Sequence, residues 1–354
     1  MDFGYINARI RAWKGNLFKT ADYDKFLSAG SVEDFIKMLK GTCYGFDLEE
    51  AKARFREEGE IKVLDKGLKG NLSRTLREIW DNFPLEKRVL IKAILSLWDV
   101  YNLKTVIRGV HRGISPDEIY SILIPAGDFD EPALKELTRS GEIRAVINIL
   151  DTWGSPYVKP LKESLRDYLQ KKETIAMELA LDRFVYGFYL NLIDGSDNNT
   201  MMVREILKNK IDGVNLITLF RFIKGESSYP LTDYYIYGGK SIRENDFMAL
   251  GISKDEKTLL KGLTEKMKGR EWREMIETAD LLEISMLEET VEDLIGRRCC
   301  RKAIIHPLSI AVALCFYFKK LREMKNLRLI GMGKEHSVPE NEIREYILSI
   351  NYKI

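Results

Sequence analysis

The amino-acid sequence predicts an all-α protein built from one helical unit used three times, and three observations carry that reading. A phrase of the form acidic-x-x-Asn-Leu-x-x-x-apolar-Arg occurs at Asp99, Asn102, Leu103, Ile107 and Arg108 and again at Asp212, Asn215, Leu216, Phe220 and Arg221. Its first half returns at Glu323, Asn326 and Leu327 before the pattern drifts at Gly331 and Met332. The three asparagines are 113 and 111 residues apart in a chain of 354, and a fixed interval of this kind is the mark of a repeated structural unit. Strand signals are confined to 121–125 and 234–237, β-branched or aromatic runs too short to build a sheet.

Taken in order, residues 5–20 read as an opening helix, with Ile6, Ile10, Trp13 and Leu17 at helical spacing. Ser31 followed by Glu33 and Asp34 is a helix-start signature, leading into a segment that ends near Gly45. A similar phrase at 141–154 pairs Ile36 with Ile147 and Leu39 with Leu150, an interval of 111. Helical pattern covers 46–79 and, after Pro84, 85–110. Gly113 and Pro116 close that helix, and Ser115-Pro-Asp-Glu opens a short new one. The third copy ends alike, with Gly333, Ser337 and Pro339 before a helix at 343–350; the middle copy has a Gly-, Ser- and Tyr-rich loop at 225–242 instead. Glu178 and Asp182 precede Asn215 by 37 and 33 residues, and Glu289 and Asp293 precede Asn326 by the same offsets; in the first copy they fall on Asp65 and Lys69. Each unit is thus two or three helices feeding a long motif helix, with units at 1–115, 116–228 and 229–354.

On the motif helix, residues three and four apart share a face. Val100, Leu103, Ile107 and Val110 form an apolar stripe, and Lys104, Arg108 and Arg112 a basic one. Asp99 and Asn102, like Asp212 with Asn215 and Glu323 with Asn326, stand one turn apart, placed to satisfy backbone or side-chain donors in another copy.

Composition narrows the function. The chain is 45% apolar and 31% charged, with 56 basic and 54 acidic residues interspersed, a balance that does not point to nucleic acid. The four cysteines, Cys43, Cys299, Cys300 and Cys315, lack CxxC spacing and read as ordinary thiols in a reduced cytosolic setting, with Cys299 and Cys300 as the one adjacent pair. The N-terminus is basic and amphipathic without the apolar core of a secretory signal. The most apolar run, 303–318, contains His306, Pro307 and Ser309; a spanning helix needs about 20 apolar residues, so this run reads as a buried helix starting at Pro307.

Catalytic patterns are missing from the sequence. Gly331-Met-Gly-Lys334 lacks P-loop spacing, Gly-x-Gly-x-x-Gly is absent, and His111, His306 and His336 have no second ligand-type residue at helical spacing. The acidic pairs recur between copies, which fits a structural role better than acid–base chemistry. The sequence therefore predicts no catalytic, cofactor or metal site.

With these residues assembled, the chain resembles the C subunit of archaeal and bacterial V-type (A-type) ATP synthases, the counterpart of the eukaryotic V-ATPase d subunit. The opening phrase from Tyr5 to Lys14, the segment from His306-Pro-Leu through Lys319 to Lys334, and the Asn-Leu repeats carry the resemblance. The family segment commonly has a basic residue where Met332 stands. The resemblance implies a funnel of three similar helical units about a pseudo-three-fold axis. It also implies a non-catalytic central-stalk role at the cytoplasmic face of the membrane, between the proteolipid ring and the axle subunits, passing torque during ATP-coupled proton or sodium transport. Under it, Lys104, Arg108, Arg112, Arg221, Arg328 and Lys334 are candidate ring or axle contacts. The competing classes are a free-standing α-helical scaffold and, last, an enzyme using the acidic pairs; a period near 112 exceeds the 20–50 residues of solenoid repeats.

Overall fold

The computed structural model describes residues 3–225, 229–253, 255–267, 270–279 and 284–349, and the described residues are helical with no strand. In chain order the α-helices are α1 Gly4–Lys14, α2 Thr20–Leu27, α3 Val32–Lys40, α4 Gly45–Phe55, α5 Glu60–Asp81, α6 Arg88–His111, α7 Pro116–Ile122, α8 Glu131–Thr138 and α9 Ile143–Thr152. They continue as α10 Val158–Lys171, α11 Ile175–Leu192, α12 Asn198–Ile223, α13 Glu244–Gly251, α14 Glu256–Lys266, α15 Arg270–Ala279, α16 Ile284–Ile305, α17 Ala311–Glu335 and α18 Glu340–Ser349.

A five-helix series recurs in this order. Its first members start at Thr20, Glu131 and Glu244, its second at Val32, Ile143 and Glu256, its third at Gly45, Val158 and Arg270. The fourth members are α5, α11 and α16, and the fifth are the motif helices α6, α12 and α17. Local sequence explains many of the starts. Ser31, Ser115, Asp130, Asp197 and Asp255 each accept a backbone N–H from the first turn of the helix they precede, satisfying a donor that the helix itself leaves open.

The chain divides into two compact units, Met1–Arg88 with Gly296–Ile354, and Val89–Ile295. In the first, α5 packs against α4 and α17, and α17 also carries α1, α3 and α18; Phe35, Tyr44, Ile6, Ile10 and Phe318 are fully buried there. In the second, α10 packs on α9 and α11, α11 on α12, and α12 on α13, around Phe220 and Phe247. Burying each such side chain contributes about 1.5–3 kcal/mol.

Several boundaries differ from the sequence reading, each for a local reason. The opening helix stops at Lys14, so Leu17 lies in the turn before α2. The 46–79 pattern is two helices, parted at Gly59, whose φ of 92° a side chain would disfavour. The helix expected from Pro307 begins at Ala311, because the Pro307 and Ser309 carbonyls are taken by Arg11 and Asn7 of α1, at 2.7 and 3.0 Å. Nor are all four cysteines free: Cys300 and Cys315, fifteen apart and side by side where α16 meets α17, form a disulfide, leaving Cys43 and Cys299 as thiols. The first and third motif helices end in the same way. Gly109 and Gly333 each face an isoleucine ten residues on, Ile119 and Ile343, at a distance no side chain would fit. Ile114 and Val338 then bond back to the Gly109 and Gly333 carbonyls. Among the described residues, no helix is long and apolar enough to cross a membrane.

Candidate functional site

The repeated acidic-x-x-Asn phrase builds a clip. On α6, Asn102 is fully buried and pairs with both backbone polar groups of one residue, donating to the Ile124 carbonyl at 2.7 Å and accepting from the Ile124 N–H at 3.0 Å. One turn earlier Asp99 accepts the N–H groups of Asp128 and Phe129 at 3.1 and 3.2 Å, with the Tyr157 hydroxyl at 3.5 Å. On α12, Asn215 pairs with Ile236 in the same two-way fashion, both bonds 2.9 Å, and Asp212 accepts from Lys240, Ser241 and Ile242. A glycine lies under each carboxylate. A Cβ at Gly127 or Gly239 would stand 2.1 or 2.4 Å from Oδ1 of Asp99 or Asp212, so only glycine permits the approach.

Burial raises both carboxyls above the ordinary range, Asp99 to about 7, while the N–H groups aimed at them work in the opposite direction. Tyr157 is likewise pushed up by burial and then by the nearby Asp99.

The third clip has different hardware. Glu323 of α17 accepts the Phe18 N–H at 2.7 Å, the Tyr44 hydroxyl at 2.7 Å and the Lys320 ammonium at 2.9 Å. Lys320 lies 4.0 Å from the centre of the Tyr44 ring, and burial, followed by Glu323, holds the Tyr44 hydroxyl well above its usual range. Asn326 is buried beside Tyr23, and its Oδ1 has no hydrogen-bond partner among the described residues. The position of the captured N–H is nevertheless the same in all three. Phe129, Ile242 and Phe18 each lie two residues before the first helix of a five-helix series, at Glu131, Glu244 and Thr20. Each motif helix therefore holds the entry to a series, and the last one holds the entry to the first.

Ion pairs follow the same order. Arg108 on the first motif helix forks onto Glu178 of α11, with Nε at 2.8 Å, and Lys104 reaches Asp182 at 2.7 Å. Burial would raise Glu178, but the guanidinium beside it outweighs that and holds the carboxyl below its usual range. On the second, Arg221 meets Glu288 at 2.7 Å and Lys210 meets Glu292 at 3.8 Å. These acids come one residue before the Glu289 and Asp293 that the offsets point to, so the facing edge of α16 is shifted by one helical position. On the third, Arg328 pairs with Asp65 of α5 at 3.0 Å, and Asp65 also holds Lys69 at 2.6 Å.

Of the six basic residues singled out in the sequence, five thus have partners within the chain, since Lys334 donates to the Leu27 carbonyl. Arg112 is exposed and makes no side-chain bond among the described residues. No cluster of three metal-ligating side chains occurs among the described residues; His111 meets the Tyr168 hydroxyl at 3.2 Å. Sequence spacing missed Tyr44, Lys320 and Phe18; Lys320 alone carries a local signal, standing one turn before Glu323.

The fold and its clips define a class: a helical repeat protein in which each long motif helix holds the entry to a helical series through a buried carboxylate, joined in two copies by a buried amide. The chain belongs to the ATP synthase (C/AC39) subunit family, whose profile matches residues 6–346. It is 28% identical over 351 residues to the A-type ATP synthase C subunit of Haloferax volcanii, covering 96% of this chain and 95% of that one. It is 26% identical over 359 residues to the subunit of the same name in Methanocaldococcus jannaschii, covering 98% and 86%. With the V-type ATP synthase C subunit of Deinococcus radiodurans the identity is 25% over 347 residues, covering 98% and 91%.

Proposed function

We propose that this chain is the non-catalytic central-stalk subunit of a V/A-type rotary ATPase, seated at the cytoplasmic face of the membrane between the proteolipid ring and the axle subunits, and that it transmits torque between them. The observation that carries the reading is family membership over nearly the whole chain, with relatives named as ATP synthase C subunits matched end to end. The order of the clips and ion pairs supports it. Taking the repeats near 1–115, 116–228 and 229–354, copy one pairs with copy two, two with three, and three with one, the order expected of three units that brace one another in turn.

A part that passes torque needs resistance to shear rather than an active site. Buried clips supply it, because each opens only by exposing unpaired backbone groups. In this reading Lys104, Arg108, Arg221, Arg328 and Lys334 brace neighbouring helices beside the docking faces, and Arg112 is left to meet the ring or axle. Affinity purification of the tagged chain from detergent-solubilised native membranes, followed by intact-complex mass spectrometry, tests the assignment. One copy of the chain recovered with a proteolipid ring and axle subunits is the expected result; recovery alone or with soluble partners only would favour a free-standing scaffold.

A further inference from the structure

Helices α1 and α17 carry a concentration of positive charge beside the third clip. Arg11 and Lys14 stand one turn apart on α1, and Lys319 and Arg322 one turn apart on α17. The two helices pack together, with Trp13 and Phe316 in ring contact at 5.9 Å beside the cluster. Arg11 is engaged by the Pro307 carbonyl at 2.7 Å. Lys14 and Lys319 are half-buried, and neither ammonium has a carboxylate or other side-chain partner among the described residues.

The motif-helix cations Lys104 and Lys210, by contrast, each face an acid. Burial lowers the Lys14 pKa first, then the neighbouring charges of Lys319 and Arg11; Lys319 is lowered by burial and then by Arg322. Half-buried cations that repel one another cost stability unless something compensates, and no described side chain compensates these two lysines. The carboxylate nearest in sequence, Glu323, is consumed by Phe18, Tyr44 and Lys320.

We infer that the face formed by Lys14, Lys319, Arg11 and Arg322 is an interaction surface for an acidic protein segment, one that brings carboxylates to the two unpaired lysines. Charge complementarity commits the occupant: two lysines without an acid, flanked by two guanidinium groups, select against another basic surface and reward a carboxylate-rich one. The inference rests on the rotor-subunit reading, which supplies other subunits as sources of that segment.

The test uses the assembled complex from native membranes and the isolated full chain, each treated with a carbodiimide that joins lysine amines directly to carboxylates, and each footprinted in parallel with acetic anhydride. The expected result is cross-linking of Lys14 or Lys319 to an Asp or Glu of another subunit, with protection of both lysines from acetylation on assembly, while exposed Lys25 reacts alike in both samples. The Lys14→Gln/Lys319→Gln double variant, shown folded by its circular dichroism and melting, is expected to bind the rest of the complex about tenfold more weakly. Recovery in the complex with both lysines reacting as in the isolated chain overturns this surface alone. Protection of the isolated chain by inorganic phosphate to the same degree overturns it in favour of a small-anion site. Recovery of the chain without other subunits overturns the rotor reading and this surface with it.

Discussion

Replacing Asn102 by alanine removes both amide bonds of the first clip at once and leaves those of Asp99 in place. The amide donates to the Ile124 carbonyl at 2.7 Å and accepts from its N–H at 3.0 Å, and Asn102 and Ile124 are both buried. Truncation leaves the Ile124 N–H without a partner in a dry site, at about 1–3 kcal/mol, and takes one bond, worth about 1 kcal/mol, from a carbonyl that keeps the Ala126 N–H at 2.9 Å, so the expected loss is about 3 kcal/mol. For a unit the size of Val89–Ile295, where 1 kcal/mol moves Tm by about 2–4 °C, that is a drop of roughly 10 °C. Scanning calorimetry measures it, and hydrogen exchange locates it, since residues 120–130 should lose protection before the rest of the unit. Asn148→Ala, on an exposed face of α9, is the control and should stay within about 0.5 kcal/mol of wild type. If Asn102→Ala falls within that same margin, or exchange rises everywhere at once, the clip does not hold the segment and the argument fails.

Three further outcomes follow from the same geometry. Glu323→Ala leaves the Lys320 ammonium buried without its counter-charge, which should cost about 3–5 kcal/mol. Adding Lys320→Met should recover part of it, and urea midpoints that fall further in the double variant would contradict the network. Asp99 is raised from the ordinary 3.8 to about 7, so the folded state keeps a proton that the unfolded chain releases. Its contribution to stability is full below about pH 4, falls by up to about 1.4 kcal/mol per pH unit toward pH 7 and is flat above. The stability of wild type relative to Asp99→Asn should accordingly decline between pH 5 and pH 7, and a constant or rising difference would refute the assignment. Reducing the Cys300–Cys315 disulfide, which closes a span of 15 residues, should cost about 3 kcal/mol; denatured, unreduced protein should take up alkylating agent at Cys43 and Cys299 alone, and labelling of all four cysteines would overturn the bond.

Helix identity was legible because apolar periodicity over long segments is a strong signal, and the Asn-Leu phrase was legible because its residues must sit one turn apart to reach one loop. The acids that meet Arg221 and Lys210 are Glu288 and Glu292, one position before the Glu289 and Asp293 that the repeat offset marks, since an offset in sequence does not specify the rotation of α16 about its own axis. The break at 55–60 hid behind continuous helical pattern, with Gly59 as its sole cue. The turn ahead of α17 was hidden differently: Asn7 and Arg11, about 300 residues away, take the carbonyls of Pro307 and Ser309, and no local pattern reports such a partner. The disulfide was missed for the same reason, because Cys300 and Cys315 become neighbours only when α16 and α17 fold back on each other.

The change of residue in the third clip goes with the distance in sequence from which its captured N–H comes. In the first two copies the captured N–H lies about thirty residues beyond the carboxylate, within reach of continuous chain. In the third copy the N–H comes from Phe18, 305 residues away. A partner delivered from so far away cannot be held by a turn that the chain makes anyway, so ordering it costs more entropy. A longer carboxylate with a buried ammonium and hydroxyl at its back answers that demand, since charge-assisted hydrogen bonds are roughly twice as strong as neutral ones. Glu323 and Lys320 of the third clip thus tie the N-terminal segment to α17, within the compact unit that residues 1–88 and 296–354 form.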